Sequence, residues 1–80
     1  MIVVVLVVDR NTGRPIDGAL VQLDSYVAYT DTAGRAILDV PPGRYTVRVG
    51  RSGYRYESMY LALFEPSEVT VRLTPSMVIL

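Results

Sequence analysis

The sequence predicts an all-β fold: a seven-stranded antiparallel β-sandwich with an extra apolar strand at its C-terminal end. Three observations carry this. Val, Ile, Thr and Tyr dominate the composition; Gly and Pro punctuate the chain at intervals of roughly eight to twelve residues; and no segment sustains the 3.6-residue apolar period of a helix. Seven short strands without a helix bury their apolar faces by packing as two sheets.

The strands follow in order. Ile2–Val8 is an unbroken β-branched and leucine run closed by the turn Asp9-Arg10-Asn11-Thr12-Gly13, where Gly13 can supply a positive φ. Pro15 blocks ladder pairing just before Gly18. Ala19–Asp24 alternates, with Ala19, Val21 and Leu23 on one face. Tyr26–Thr30 is a short third strand, and Asp31-Thr32-Ala33-Gly34 turns the chain into Arg35–Val40, whose Ala36, Leu38 and Val40 face inward. Pro41-Pro42-Gly43 forces a reversal, because Pro presets φ and Gly accepts what other residues resist. Tyr45, Val47 and Val49 then alternate with Thr46 and Arg48. Gly50-Arg51-Ser52-Gly53 leads into Tyr56–Phe64, Pro66-Ser67 breaks it, and Val69, Val71 and Leu73 mark the seventh strand. Pro75 sets off the apolar tail Met77–Leu80.

At 80 residues the chain reads as one domain, 1–80, with no internal repeat and no low-complexity segment. A core of this size supplies only ~3–5 kcal/mol, so such domains usually have a staple, a metal or a partner. With Cys 0 and His 0, disulfides and the commonest transition-metal sites are excluded, which leaves a partner. The eight cationic residues, all Arg, balance eight acidic ones and form no basic stripe, so nucleic acid is a poor match. The first apolar run is too short to span a bilayer, which takes ~20 residues, and it lacks the basic flank and cleavage site of a signal peptide. No transmembrane segment is expected.

The order of signals Val7-x-Asp9, Thr12-Gly13-x-Pro15-Ile16, Gly18-Ala19-x-Val21-x-Leu23, Thr30-Asp31-x-x-Gly34, Leu38-x-Val40-Pro41-Pro42-Gly43-x-Tyr45-Thr46-Val47 and Gly53-Tyr54 resembles the carboxypeptidase regulatory-like domain. That is a small immunoglobulin-like or prealbumin-like sandwich, related to transthyretin and to B-type surface repeats. The match runs from about Val3 to Leu73. The resemblance implies a non-catalytic module of the kind appended to enzymes, receptors and surface proteins, in an extracellular or cell-surface setting; it implies fold more strongly than function. Two chemistries found among related sandwiches are excluded by composition. Without Lys the chain cannot make the Lys–Asn or Lys–Asp cross-link of some B-type repeats, and without His it cannot perform the hydrolysis of transthyretin-like enzymes.

Nor can Ser-His or Cys-His nucleophiles be built, so no enzyme is expected. Asp9 and Asp31 lie in turns, where carboxylates bond nearby backbone N–H groups. Calcium, which takes ~6–8 oxygens, lacks a dense Asp cluster, so neither metal nor cofactor is expected. Six Tyr stand against one Phe. Tyr54, Tyr56 and Tyr60, with Arg51 and Arg55 beside them, are candidate contacts for a carbohydrate or peptide. The family pattern makes Tyr45 and Tyr54 core or corner residues, while Tyr56 and Tyr60 are open between internal packing and partner contact. The strongest candidate is the first strand. In the register that the resemblance implies, Val3, Val5 and Val7 point inward; Ile2, Val4, Leu6 and Val8 then point outward and none is polar, where a half-exposed strand should alternate. Burying them is worth ~1.5–3 kcal/mol each. The tail Met77, Val78, Ile79 and Leu80 raises the same question. Three covers are open: the tail folded over the first strand, a neighbouring subunit joined through strand edges into a homo-oligomer or filament, or another domain of a longer polypeptide. The leading expectation is an assembly module of an extracellular or surface structure; the second is an accessory carbohydrate- or peptide-binding module.

Overall fold

A computed structural model describes residues 1–76 and contains two sheets and no helix among them. The strands are β1 (Ile2–Asp9), β2 (Leu20–Leu23), β3 (Tyr26–Tyr29), β4 (Arg35–Asp39), β5 (Gly43–Gly50), β6 (Glu57–Leu63) and β7 (Ser67–Leu73). One sheet has the order β4-β1-β7, the other β3-β2-β5-β6. The extra C-terminal strand expected over Met77–Leu80 lies outside the described residues.

The period-two alternation sorts the faces as the sequence predicts. Val3, Val5 and Val7 from β1, Ala36 and Leu38 from β4, and Val71 and Leu73 from β7 meet Val21, Leu23, Tyr45, Val47 and Val49 of the other sheet in one buried core. Leu63 closes it at the end of β6. The Tyr45 hydroxyl donates to the Pro41 carbonyl, tying the Pro-Pro-Gly reversal to β5, and its ring meets Tyr26 edge-on at 6.4 Å between centroids.

One expectation is corrected. The sheets are not wholly antiparallel: β1 and β7 pair in parallel, from Val3↔Ser67 to Asp9↔Leu73. Alternation reports which face a side chain takes, but not which way a neighbouring strand runs. Here β7 crosses from the second sheet and lies along β1 in the same direction, while β4 holds the opposite edge of β1 antiparallel.

Two buried joints fix the loops between the sheets. Thr30, the buried polar residue among those described, accepts the Ala19 N–H at Oγ1 (2.8 Å) and donates to the Ile16 carbonyl (2.6 Å). Gly34, at φ +77°, lies against β1, where its carbonyl accepts the Val7 N–H at 2.7 Å.

Candidate interaction surfaces

The outer face of β4-β1-β7 is set by register. With the odd-numbered valines of β1 inward, Ile2, Val4, Leu6 and Val8 line the middle of the outer face. β4 places Asp39 beside Ile2, Ile37 beside Val4 and Arg35 beside Leu6; β7 places Glu68 beside Val4, Thr70 beside Leu6 and Arg72 beside Val8. Ile2 is 46% exposed and Ile37 64%, whereas Val4, Leu6 and Val8 are half-buried. β1 is the central strand of its sheet, between β4 and β7. One route is corrected: with β4 and β7 on its two edges, β1 has no free ladder for strand addition. Contact through β1 is contact through its face. Ile37 belongs to this face and is absent from the sequence-based candidates; its signal is an apolar residue in the polar phase of Arg35–Asp39. Met77, Val78, Ile79 and Leu80 lie outside the described residues.

The charges on this face are polarised. Asp39 and Glu68 sit at the Ile2–Val4 end, Arg35 and Arg72 at the Leu6–Val8 end. Among the described residues, Arg35, Glu68 and Arg72 make no ion pair.

The tyrosines divide. Tyr54 precedes β6 and is half-buried; it bridges Pro75, and its hydroxyl donates to Asp9 Oδ2 at 2.7 Å. Asp9 Oδ1 accepts the N–H groups of Asn11 (2.8 Å) and Thr12 (3.0 Å), the turn role expected of it, and Asp31 does the same for Ala33 and Arg35. The Tyr54 bond, followed by the Thr12 N–H, holds the Asp9 carboxyl below its ordinary 3.8. The same bond pushes the Tyr54 phenol up. A carboxyl depressed by folding stabilises the fold above its unfolded pKa, and that contribution is lost as pH falls through the folded value. Thermal melts of the unmodified chain should therefore decline more steeply below about pH 4 than those of Asp9→Asn; parallel curves would refute this role.

Tyr56 and Tyr60 sit elsewhere, on the outer face of β3-β2-β5-β6, 75% and 86% exposed. The Tyr56 ring lies where a Cβ on Gly50 would stand, so one ring face covers the β5 backbone. Tyr60 lies opposite Thr46, with Ser58 opposite Arg48 and Ala62 opposite Arg44. On the far side of β5, Gln22 pairs Arg48, and Asp24 closes against Thr46 through two bonds, Asp24 N–H to the Thr46 carbonyl (3.1 Å) and Thr46 N–H to Asp24 Oδ1 (3.0 Å). Arg44, Arg48 and Asp24 are absent from the sequence-based candidates, because only the strand order brings them beside Tyr60.

Among the described residues no three of His, Cys, Asp and Glu gather, and no helix is long and apolar enough to cross a membrane. What the chain offers is two outer sheet faces on a small two-sheet sandwich. It belongs to the carboxypeptidase regulatory-like domain family, whose model matches residues 2–74. It is 38% identical over 71 residues to S-layer protein B of Metallosphaera sedula, covering 88% of this chain; it spans 17% of that relative. Among solved structures it resembles a chain of a type II cohesin–X-dockerin complex from Acetivibrio cellulolyticus (24% identity, TM-score 0.70, covering 92% of this chain and 52% of that one). It also resembles the C-terminal domain of the Caf1A usher (12% identity, TM-score 0.62, covering 94% and 98%). Both likenesses are of fold.

Proposed function

We propose that this chain is a single non-catalytic structural domain of a cell-surface assembly, and that it associates with a second copy of itself through the outer face of β4-β1-β7. The observation that carries the reading is that face: a central strand with no polar outward residue, extended by exposed Ile37 and rimmed by charges of opposite sign at its two ends. The relative bearing the name S-layer protein B supports the surface setting.

The charge pattern selects one geometry. A two-fold axis that reverses the strand direction lays β7 over β7 and β4 over β4 and sets the acidic end of each copy over the basic end of the other, so Glu68 approaches the second copy's Arg72. A two-fold axis along the strands would instead set Asp39 against Glu68 and Arg35 against Arg72. Only the first brings unlike charges together.

Because each pair occurs twice in a two-fold dimer, Arg72→Glu turns two attractions into two repulsions. Exposed pairs are worth ~0.2–1 kcal/mol each, so association should weaken about tenfold. Glu68→Arg alone should do the same, while the double exchange Glu68→Arg/Arg72→Glu restores pairing. Sedimentation equilibrium of the full chain at millimolar concentration reads all four proteins. A monomer throughout, or a double exchange no better than either single one, overturns the self-association.

A further inference from the structure

We propose that the outer face of β3-β2-β5-β6 binds an acidic saccharide, with Tyr60 as the stacking platform and Arg44 and Arg48 as the carboxylate contacts. This face is opposite the one assigned to assembly, and the proposal does not depend on that reading.

The first observation is the setting of Tyr60. Its neighbours on the same face of β6 are Ser58 and Ala62, both too small to lean on the ring, so it stands clear at 86% exposure. Tyr56 differs, since one of its ring faces is spent on Gly50. A free aromatic face accepts the C–H side of a sugar ring, burying apolar area while the sugar's hydroxyls stay at the rim.

The second is the depression beside the ring. A hollow of ≈ 420 Å³ runs between Tyr60, Thr46, Arg44 and Asp24. It shares Asp24 and Thr46 with an adjoining hollow of ≈ 260 Å³ bounded by Gln22 and Arg48. An aromatic wall with a few converging planar polar groups is the make-up of a small-molecule site, and Gln and Arg supply in-plane donors that suit hydroxyls.

The third is charge. Arg44 and Arg48 flank Thr46 on β5, so their guanidinium groups lie to either side of the Tyr60 level. Among the described residues neither makes an ion pair. The one carboxylate in the groove, Asp24, already accepts the Thr46 N–H. Two unpaired guanidinium groups facing one engaged carboxylate favour a sugar that carries its own carboxylate, which a guanidinium grips through two parallel N–H bonds. A neutral sugar would leave them unmatched.

The test is a titration of the ¹⁵N-labelled full chain followed by NMR, with a galacturonate hexamer and a sialylated trisaccharide as acidic probes and cellohexaose as the neutral one. At least one acidic probe should shift amides of β5 and β6 and bind about tenfold or more tightly than cellohexaose, with affinity falling as salt rises. Tyr60→Ala should abolish the shifts for all sugars. Arg48→Gln should narrow the preference for acidic sugars and leave any neutral binding intact. Both side chains are exposed, so unchanged spectra elsewhere establish that the variants are folded. Absence of shifts with both acidic probes at millimolar concentration overturns the proposal. So does binding that ignores both variants, or a preference for the neutral sugar.

Discussion

Gly34→Ala is expected to remove most of the stability of the chain. Gly34 sits at φ +77°, where an L side chain costs ~1–2 kcal/mol. An added Cβ would also stand 2.7 Å from the Val7 carbonyl oxygen and 2.8 Å from Pro15 Cβ. Neither neighbour can yield cheaply. Val7 O accepts the Ile16 N–H (2.9 Å) while Val7 N–H donates to Gly34 O (2.7 Å), so a shift loosens β1 from two loops at once. Together these should cost about 3 kcal/mol or more, most of what a core of this size supplies. Gly13→Ala is the control: its φ is +74° but nothing lies within 4 Å of the added carbon, so only the backbone strain remains. Urea titrations of both variants decide the matter. A Gly34→Ala chain within 1 kcal/mol of the Gly13→Ala chain would refute the steric account.

Thr30→Val should produce the second-largest loss, about 2–3 kcal/mol, with little change in side-chain shape. The hydroxyl accepts from Ala19 and donates to Ile16, and the valine leaves both backbone groups buried without it. An unsatisfied buried N–H forfeits its solvation, ~1–3 kcal/mol, whereas the added methyl returns little in a site already filled. Thr30→Ser keeps the oxygen and should recover most of the stability in the same titration. Equal losses in the valine and serine variants would assign the effect to packing instead.

Both residues fall in the segment Thr30-Asp31-x-x-Gly34, and the sequence made that segment visible before its purpose was known. The faces of the strands were equally visible. Val3, Val5 and Val7 alternate with exposed or half-buried neighbours as the buried residues of β2, β4 and β7 do, because alternation follows from the pleat alone. Neighbourhood was not visible. That β1 is central depends on partners distant in sequence, since the same apolar run would suit an exposed edge or a subunit contact and nothing local distinguishes these. The parallel partner of β1 comes from the far end of the chain. The three candidate tyrosines share an even spacing, but Tyr54 precedes β6 and is held to Asp9, so the spacing does not carry from it to Tyr56 and Tyr60. Arg44, Arg48 and Asp24 join Tyr60, and the acidic and basic ends of the other face separate, only once register is known.

The parallel course of β1 and β7 also decides how the domain bears tension. The backbone enters β1 at Ile2 and leaves β7 at Leu73, at opposite ends of that two-strand seam. A tug between those points slides one strand along the other, so the load spreads over the whole ladder from Val3↔Ser67 to Asp9↔Leu73, whereas an antiparallel seam would unzip one bond at a time. Rupture under force is governed by the unfolding rate, and a seam loaded lengthwise keeps that rate low while the equilibrium stability stays modest. A domain with a small core thus resists a pull along this seam better than its equilibrium stability alone would suggest.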